Sequence, residues 1–207
     1  SFSQATFAGI SASAPGVSTA ANAINTVTFW MLYKGSGTST ALALGSGTGI
    51  GINTGYLGFT GGAESYGISS SSYNNQWVFV AAQIQNGVAA SSANDILYIN
   101  GAKQSSLGGG SAPTMTATQS VYIGSNGVAQ TFNGLLANVQ IYNYSLSGNE
   151  IVALYDSGIG ADPQAITNIA GWWQLNGNAN DYSGNLNNGV ATNVVYTSSW
   201  TAGYTAP

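Results

Sequence analysis

Thr26-Val-Thr-Phe-Trp-Met-Leu-Tyr33 decides the class of fold. Its period is two. Val27, Phe29, Met31 and Tyr33 fall on one face of a strand, and Thr26, Thr28, Trp30 and Leu32 on the other. Apolar side chains stand on both faces, so such a strand has something to bury on each side. Trp77-Val-Phe-Val-Ala-Ala-Gln-Ile84 is a second strand equally rich in apolar residues. Ile96-Leu-Tyr-Ile99 runs into Asn100-Gly101, a pair that supplies the two positive φ angles of a type I′ turn, and a hairpin is predicted there. Val121-Tyr-Ile123 and Leu135 to Tyr142 follow as further strands, and Asn-Gly recurs at 86, 126, 133, 176 and 188. Short strands between Gly- and Asn-rich turns indicate an all-β sandwich or barrel rather than βαβ units.

One helix interrupts the pattern. Ser147-Gly-Asn-Glu150 has capping-box spacing, Ile151, Leu154 and Tyr155 form an apolar stripe, and Gly158 supplies the stop. From Ile159 to Ala170, Pro163 and polar residues break any period, so 159–170 reads as a linker. The chain then divides into a body over 1–158 and a C-terminal element over 171–207. That element comprises Trp172-Trp-Gln-Leu175, an Asn/Gly loop to Gly189, Val194-Val-Tyr196 and Trp200. It is too small to fold alone, because an isolated hairpin is marginal in water.

Composition narrows the function. Of 207 residues, 44% are hydrophobic, which is ordinary, but only 4% are charged, where about a quarter is usual. Lys34 and Lys103 are the whole cationic complement, against six carboxylates. Two lysines cannot line a phosphate backbone or an anionic leaflet, so nucleic acid and membrane-surface partners are excluded. The longest apolar runs fall far short of the roughly 18 residues of a membrane span. With no cysteine and no histidine, thiol nucleophiles, disulfides and the usual nucleophile–base pairs are absent. So few ionisable groups suit an exposed, extracellular setting. A start at Ser1 rather than methionine fits a processed secretory precursor and a trimmed chain equally.

Three stretches together resemble the laminin-G / concanavalin A-like lectin superfamily, in its LamG-like jelly-roll branch. They are Trp77-Val-Phe-Val-Ala with Asp95-Ile-Leu-Tyr-Ile-Asn-Gly101; Ile123-Gly124 with Phe132 to Val139, Ile141 to Ser147, Glu150-Ile and Leu154-Tyr; and Trp173 to Gly184 with Asn188-Gly189. The resemblance implies a jelly-roll β-sandwich with one short helix. In the family the Trp-Leu-Asn-Gly-Asn element opens the domain, whereas here it closes the chain. The sandwich is therefore expected to be permuted or strand-exchanged. Its tail would either fold back into its own groove or complete a neighbour. A linker of about a dozen residues reaches at most about 40 Å, which permits both closures. The scarcity of charge favours a homo-polymer, an extracellular or cell-surface filament subunit assembled head-to-tail through Trp172, Trp173, Leu175, Val194, Val195, Tyr196 and Trp200. The alternative is a secreted, lectin-like carbohydrate-binding module that closes on itself.

Other residues bear on ligands. Members of the superfamily often bind calcium, and Asn178, Asn180 and Asp181 lie in an oxygen-rich loop. A single carboxylate makes any such site weak, and Asx turns explain the same residues, so no cofactor is expected. Tyr56, Tyr66, Tyr73 and Tyr204 sit among Gly, Ser and Asn and are candidates to contact glycans. The six carboxylates are never two residues apart, and Glu150 is occupied by capping, so no glycosidase pair is expected and the protein reads as a non-enzyme. Asn143-Tyr-Ser145 is the sole N-glycosylation sequon.

Overall fold

The computed structural model describes residues 9–13, 16–35, 37–45, 48–60, 68–88, 95–105, 115–116, 119–128 and 130–197. In chain order the strands are β1 (Gly9–Ala12), β2 (Ile24–Tyr33), β3 (Ser39–Leu44), β4 (Thr48–Asn53), β5 (Tyr56–Thr60), β6 (Ile68–Ser69) and β7 (Trp77–Gln85). They continue with β8 (Ile96–Ile99), β9 (Ala102–Lys103), β10 (Val121–Ile123), β11 (Gly134–Tyr142), β12 (Ile169–Trp173) and β13 (Val190–Thr192). One helix, α1 (Gly148–Asp156), follows β11. No described helix is long and apolar enough to cross a membrane.

The strands form two antiparallel sheets, ordered β13-β1-β10-β3-β4-β5-β6 and β12-β11-β2-β7-β8-β9. The alternation along β2 determines how they stack. Val27, Phe29, Met31 and Tyr33 enter the core between the sheets, where Ile50, Ile52, Leu57 and Phe59 meet them from the other side. Trp30, on the opposite face, packs with Phe79 and, from α1, with Ile151 and Leu154. Its ring centroid lies 5.5 Å from that of Phe79 and 5.9 Å from that of Tyr155. The six-stranded sheet is therefore covered on both faces.

Local chemistry sets the connections. Ser147 Oγ accepts the Glu150 N–H at 3.3 Å, and Glu150 Oε2 accepts the Ser147 N–H at 2.7 Å, which closes the capping box and starts α1. Asn100 and Gly101 have φ of 49° and 76°, as a type I′ turn requires, and Asn100 Oδ1 accepts the Phe79 N–H at 2.9 Å.

The C-terminal element folds back into its own chain. β12 extends the six-stranded sheet beside β11, with Trp172 opposite Gln140 and Trp173 opposite Val139. β13 extends the seven-stranded sheet beside β1, with Ala191 opposite Ile10. One tail thus supplies an edge strand to each sheet, and the strands expected to be donated to a neighbour are seated at home. Trp173 is fully buried between the sheets, with Leu175 beside it in the core. Gly171 makes room for it, because a Cβ there would stand 2.2 Å from the indole. Trp172 points to the outer face. The second tail strand is Val190–Thr192 rather than Val194–Tyr196, because Asn193 at φ 52° turns the chain aside. Val194 still packs on the core, Tyr196 is half-buried and Val195 is exposed. Trp200 lies outside the described residues.

The stretch 159–170 differs from a free linker. Ile159, Ala161 and Pro163 are buried, and its last two residues belong to β12. The Ala161 carbonyl accepts Asn138 Nδ2 and Gln140 Nε2, each at 2.8 Å, and Tyr142 Oη accepts the Gln164 N–H at 3.3 Å. Asn138 sits at φ 49° in a bulge of β11, an extra residue that lets Ala137 and Gln140 face the same side. The segment is a strap tied to the sheet by side-chain amides.

Two expectations follow. Because closure is internal, size-exclusion chromatography should show a monomer of 21.0 kDa; a polymer would reinstate strand donation. Tyr144 donates to Glu150 Oε1 at 3.0 Å, and burial together with that carboxylate pushes its hydroxyl up from 10.0 to about 12. A raised folded value favours the protonated form. The contribution is therefore whole below pH 10 and is lost as pH rises through about 12. Tyr144→Phe should flatten the alkaline fall of the unfolding midpoint across that window; superimposable curves would contradict this.

Candidate functional site

Residues 174–189 run along one side of the sandwich, from β12 in one sheet to β13 in the other. Asp181 shapes this loop from within, at 8% exposure. Its Oδ1 accepts the N–H groups of Trp172 and Ser183, and its Oδ2 accepts that of Asn187, all at 2.9 Å. The Asp181 N–H in turn donates to Asn188 Oδ1 at 2.9 Å. Asn178 Oδ1 accepts the Asn180 N–H at 2.9 Å, and Ser183 Oγ accepts the Asn185 N–H at 3.2 Å, so a chain of Asx- and Ser-type turns holds the backbone.

What the loop presents outward is an aromatic corner. Tyr182 is 44% exposed and meets Trp172 edge to face, with centroids 6.0 Å apart and planes at 63°. Its hydroxyl accepts Asn178 Nδ2 at 3.1 Å. Trp172 is fixed by its indole N–H, which donates to Asn138 Oδ1 at 2.8 Å. Asn176 and Asn180 of the same loop are exposed. A held ring flanked by neutral amides offers an apolar face for stacking together with donors and acceptors for hydroxyls.

The same geometry bears on calcium. Both Asp181 oxygens face N–H donors, and Asn178 Oδ1 is taken by a backbone amide. These bonds take three of the roughly four acceptor positions of the Asp181 carboxylate and one on Asn178 Oδ1, which leaves little of either side chain to offer a cation. Among the described residues no group of three or more acidic, histidine or cysteine side chains could hold a metal.

Other sequence candidates are dispersed. Tyr56 is 51% exposed on β5, opposite Asn53 and Ser69, while Tyr73 packs against the core. Tyr66 and Tyr204 lie outside the described residues, as does Glu64. Asp95 is buried and accepts the Gln85 N–H at 3.0 Å. Glu150 caps α1, and its hydrogen bonds to Ser147 hold its carboxyl below the usual range. Asn143 is exposed in the bend between β11 and α1, and Ser145 Oγ of the same sequon accepts Gln83 Nε2 at 3.0 Å. Tyr182, which stands between Asp181 and Ser183, is not among the sequence candidates for sugar contact.

A family model described as the concanavalin A-like lectin/glucanases superfamily matches residues 6–152, more than two thirds of the chain. The chain belongs to that superfamily. The match ends inside α1, so β12 and β13 lie beyond it. Among solved structures, the sandwich is similar to a Bacteroides ovatus protein described as a "putative carbohydrate binding protein", with a TM-score of 0.59 and 15% identity. That likeness covers 88% of this chain and 58% of the other, so the chain spans little more than half its length. A heptameric SAP-like pentraxin from Limulus polyphemus is similar at a TM-score of 0.50 and 14% identity, over 74% of this chain and 78% of that one. At such identities the likeness is one of fold. No curated protein matches the sequence.

In this concanavalin A-like sandwich, Asp181→Ala would strand three backbone donors. It should cost about 2–4 kcal/mol and lower the thermal midpoint by about 4–16 °C. Asp181→Asn, which keeps one oxygen, should lose less. Added calcium should leave the parent's midpoint unchanged, and a marked rise would show that the carboxylate can be recruited to a metal.

Proposed function

We propose that this protein binds carbohydrate at the Tyr182–Trp172 corner, without catalysis. The observation that carries the reading is a half-exposed ring, held at its edge by Trp172 and at its hydroxyl by Asn178, on a loop that also exposes Asn176 and Asn180. A surface that is already rigid loses little entropy when it docks a ligand. The fold supports the reading, since it is shared with a protein described as carbohydrate binding. A hydrolase is the weaker alternative, because Asp95, Glu150 and Asp181 all hold backbone amides. An extracellular or cell-surface location accords with a chain only 4% charged that depends on amides and hydroxyls for solubility. Asn143 is proposed as an accessible glycan acceptor. Head-to-tail assembly loses its main support, since β12 and β13 pair within their own chain.

Affinity electrophoresis through polysaccharide gels tests the proposal. Tyr182→Ala should abolish retardation or weaken it about five- to tenfold, as loss of roughly 1 kcal/mol of stacking implies. Its thermal midpoint should stay near the parent's. Tyr56→Ala should bind as the parent does. The reverse pattern would move the site to the β5 edge.

A further inference from the structure

Resting on that reading, we infer that the ligand is an uncharged glycan, bound without a metal ion and without help from ionic attraction. The placement of charge on the sandwich carries this.

The sequence holds no arginine or histidine, so Lys34 and Lys103 are its only cationic side chains. Both stand far from the corner. Strand register puts Trp172, Gln140, Thr28, Ala81, Tyr98 and Lys103 in one row across the six-stranded sheet. Lys103 is thus five strand spacings from Trp172, about 24 Å. Lys34 lies six residues along from Thr28, which is itself two strands from Trp172, again about 22 Å away. The screening length in physiological salt is about 8 Å, so neither lysine attracts an anion to this surface.

The charges on the corner's own side are acidic. Asp181 is inside the loop, its oxygens held by three N–H groups. Asp162 is exposed, one residue beyond Ala161, whose carbonyl receives the same Asn138 amide group that anchors Trp172. A uronic acid, sialic acid or sulfated sugar would meet the exposed carboxylate of Asp162 on this side, and no cation to pair with. Hydroxyls, by contrast, find amide oxygens and N–H groups, and the apolar side of a sugar ring finds Tyr182. Asp181 and Asn178 direct their oxygens at backbone donors, so the loop's one carboxylate is engaged within the loop rather than offered to a metal that would join a sugar to it.

The test is affinity electrophoresis of the full chain through gels containing neutral polymers (xylan, arabinan, mixed-linkage glucan) or acidic ones (polygalacturonate, dextran sulfate). Each gel is run at low and high salt, with and without EDTA. Retardation by at least one neutral polymer, unchanged by EDTA or salt, supports the inference. Retardation by acidic polymers equal to or above that by neutral ones, or loss of neutral binding in EDTA, overturns it while leaving carbohydrate binding intact. No retardation by any polymer overturns the carbohydrate-binding reading itself. Asn180→Lys adds a control that misfolding cannot imitate. Placing a cation two residues from Tyr182 on the exposed loop should create binding to polygalacturonate that disappears at high salt, and failure to gain it would place the ligand surface elsewhere.

Discussion

A strand that is apolar on both faces has to be covered twice, and most of this architecture answers that demand. β2 sends Phe29 and Met31 one way and Trp30 the other. The first group is met by the opposing sheet. The second is met by α1 and the strap, which no second sheet could replace without a third layer. The helix therefore serves as a lid on the Trp30–Phe79 surface, anchored by its own capping box and by Tyr155 against Trp30.

Polar contacts are made with amides and hydroxyls where other proteins use ions. Asn138 and Gln140 tie the strap, Gln83 holds Ser145, Asn86 reaches the carbonyls of Thr19 and Ala20, and Asn25 that of Ser18. Neutral hydrogen bonds of this kind avoid the desolvation penalty of buried ion pairs. They also give the exposed corner its character, since a surface built from carboxamides recognises hydroxyls better than charge.

Much of this is legible in the sequence, for physical reasons that differ between elements. β2, β7 and the β8–β9 hairpin announce themselves through alternation and the Asn100-Gly101 turn, and α1 through Ser147 and Glu150. β3 to β5 are silent because many of their outward positions are Gly and Ala, such as Ala43, Gly49, Gly51 and Gly58, so inside and outside show little contrast. The strap is silent because its anchors are a backbone carbonyl at Ala161 and side chains some twenty residues earlier in the chain. In the 176–185 loop the abundance of oxygen is plain, but the direction in which each oxygen points is not. That direction turns a metal-like composition into a scaffold under Tyr182.

The position of β12 and β13 has a consequence for how the molecule is made. Gly9 and Thr192 are neighbours in the sheet, although the ribosome releases the first long before the second. Until β12 and β13 are synthesised, the borders of β11 and β1 are unpaired and the slot for Trp173 is open, a condition that invites other chains to bind. Completion therefore waits on contacts between residues far apart along the polypeptide, the kind that form slowly.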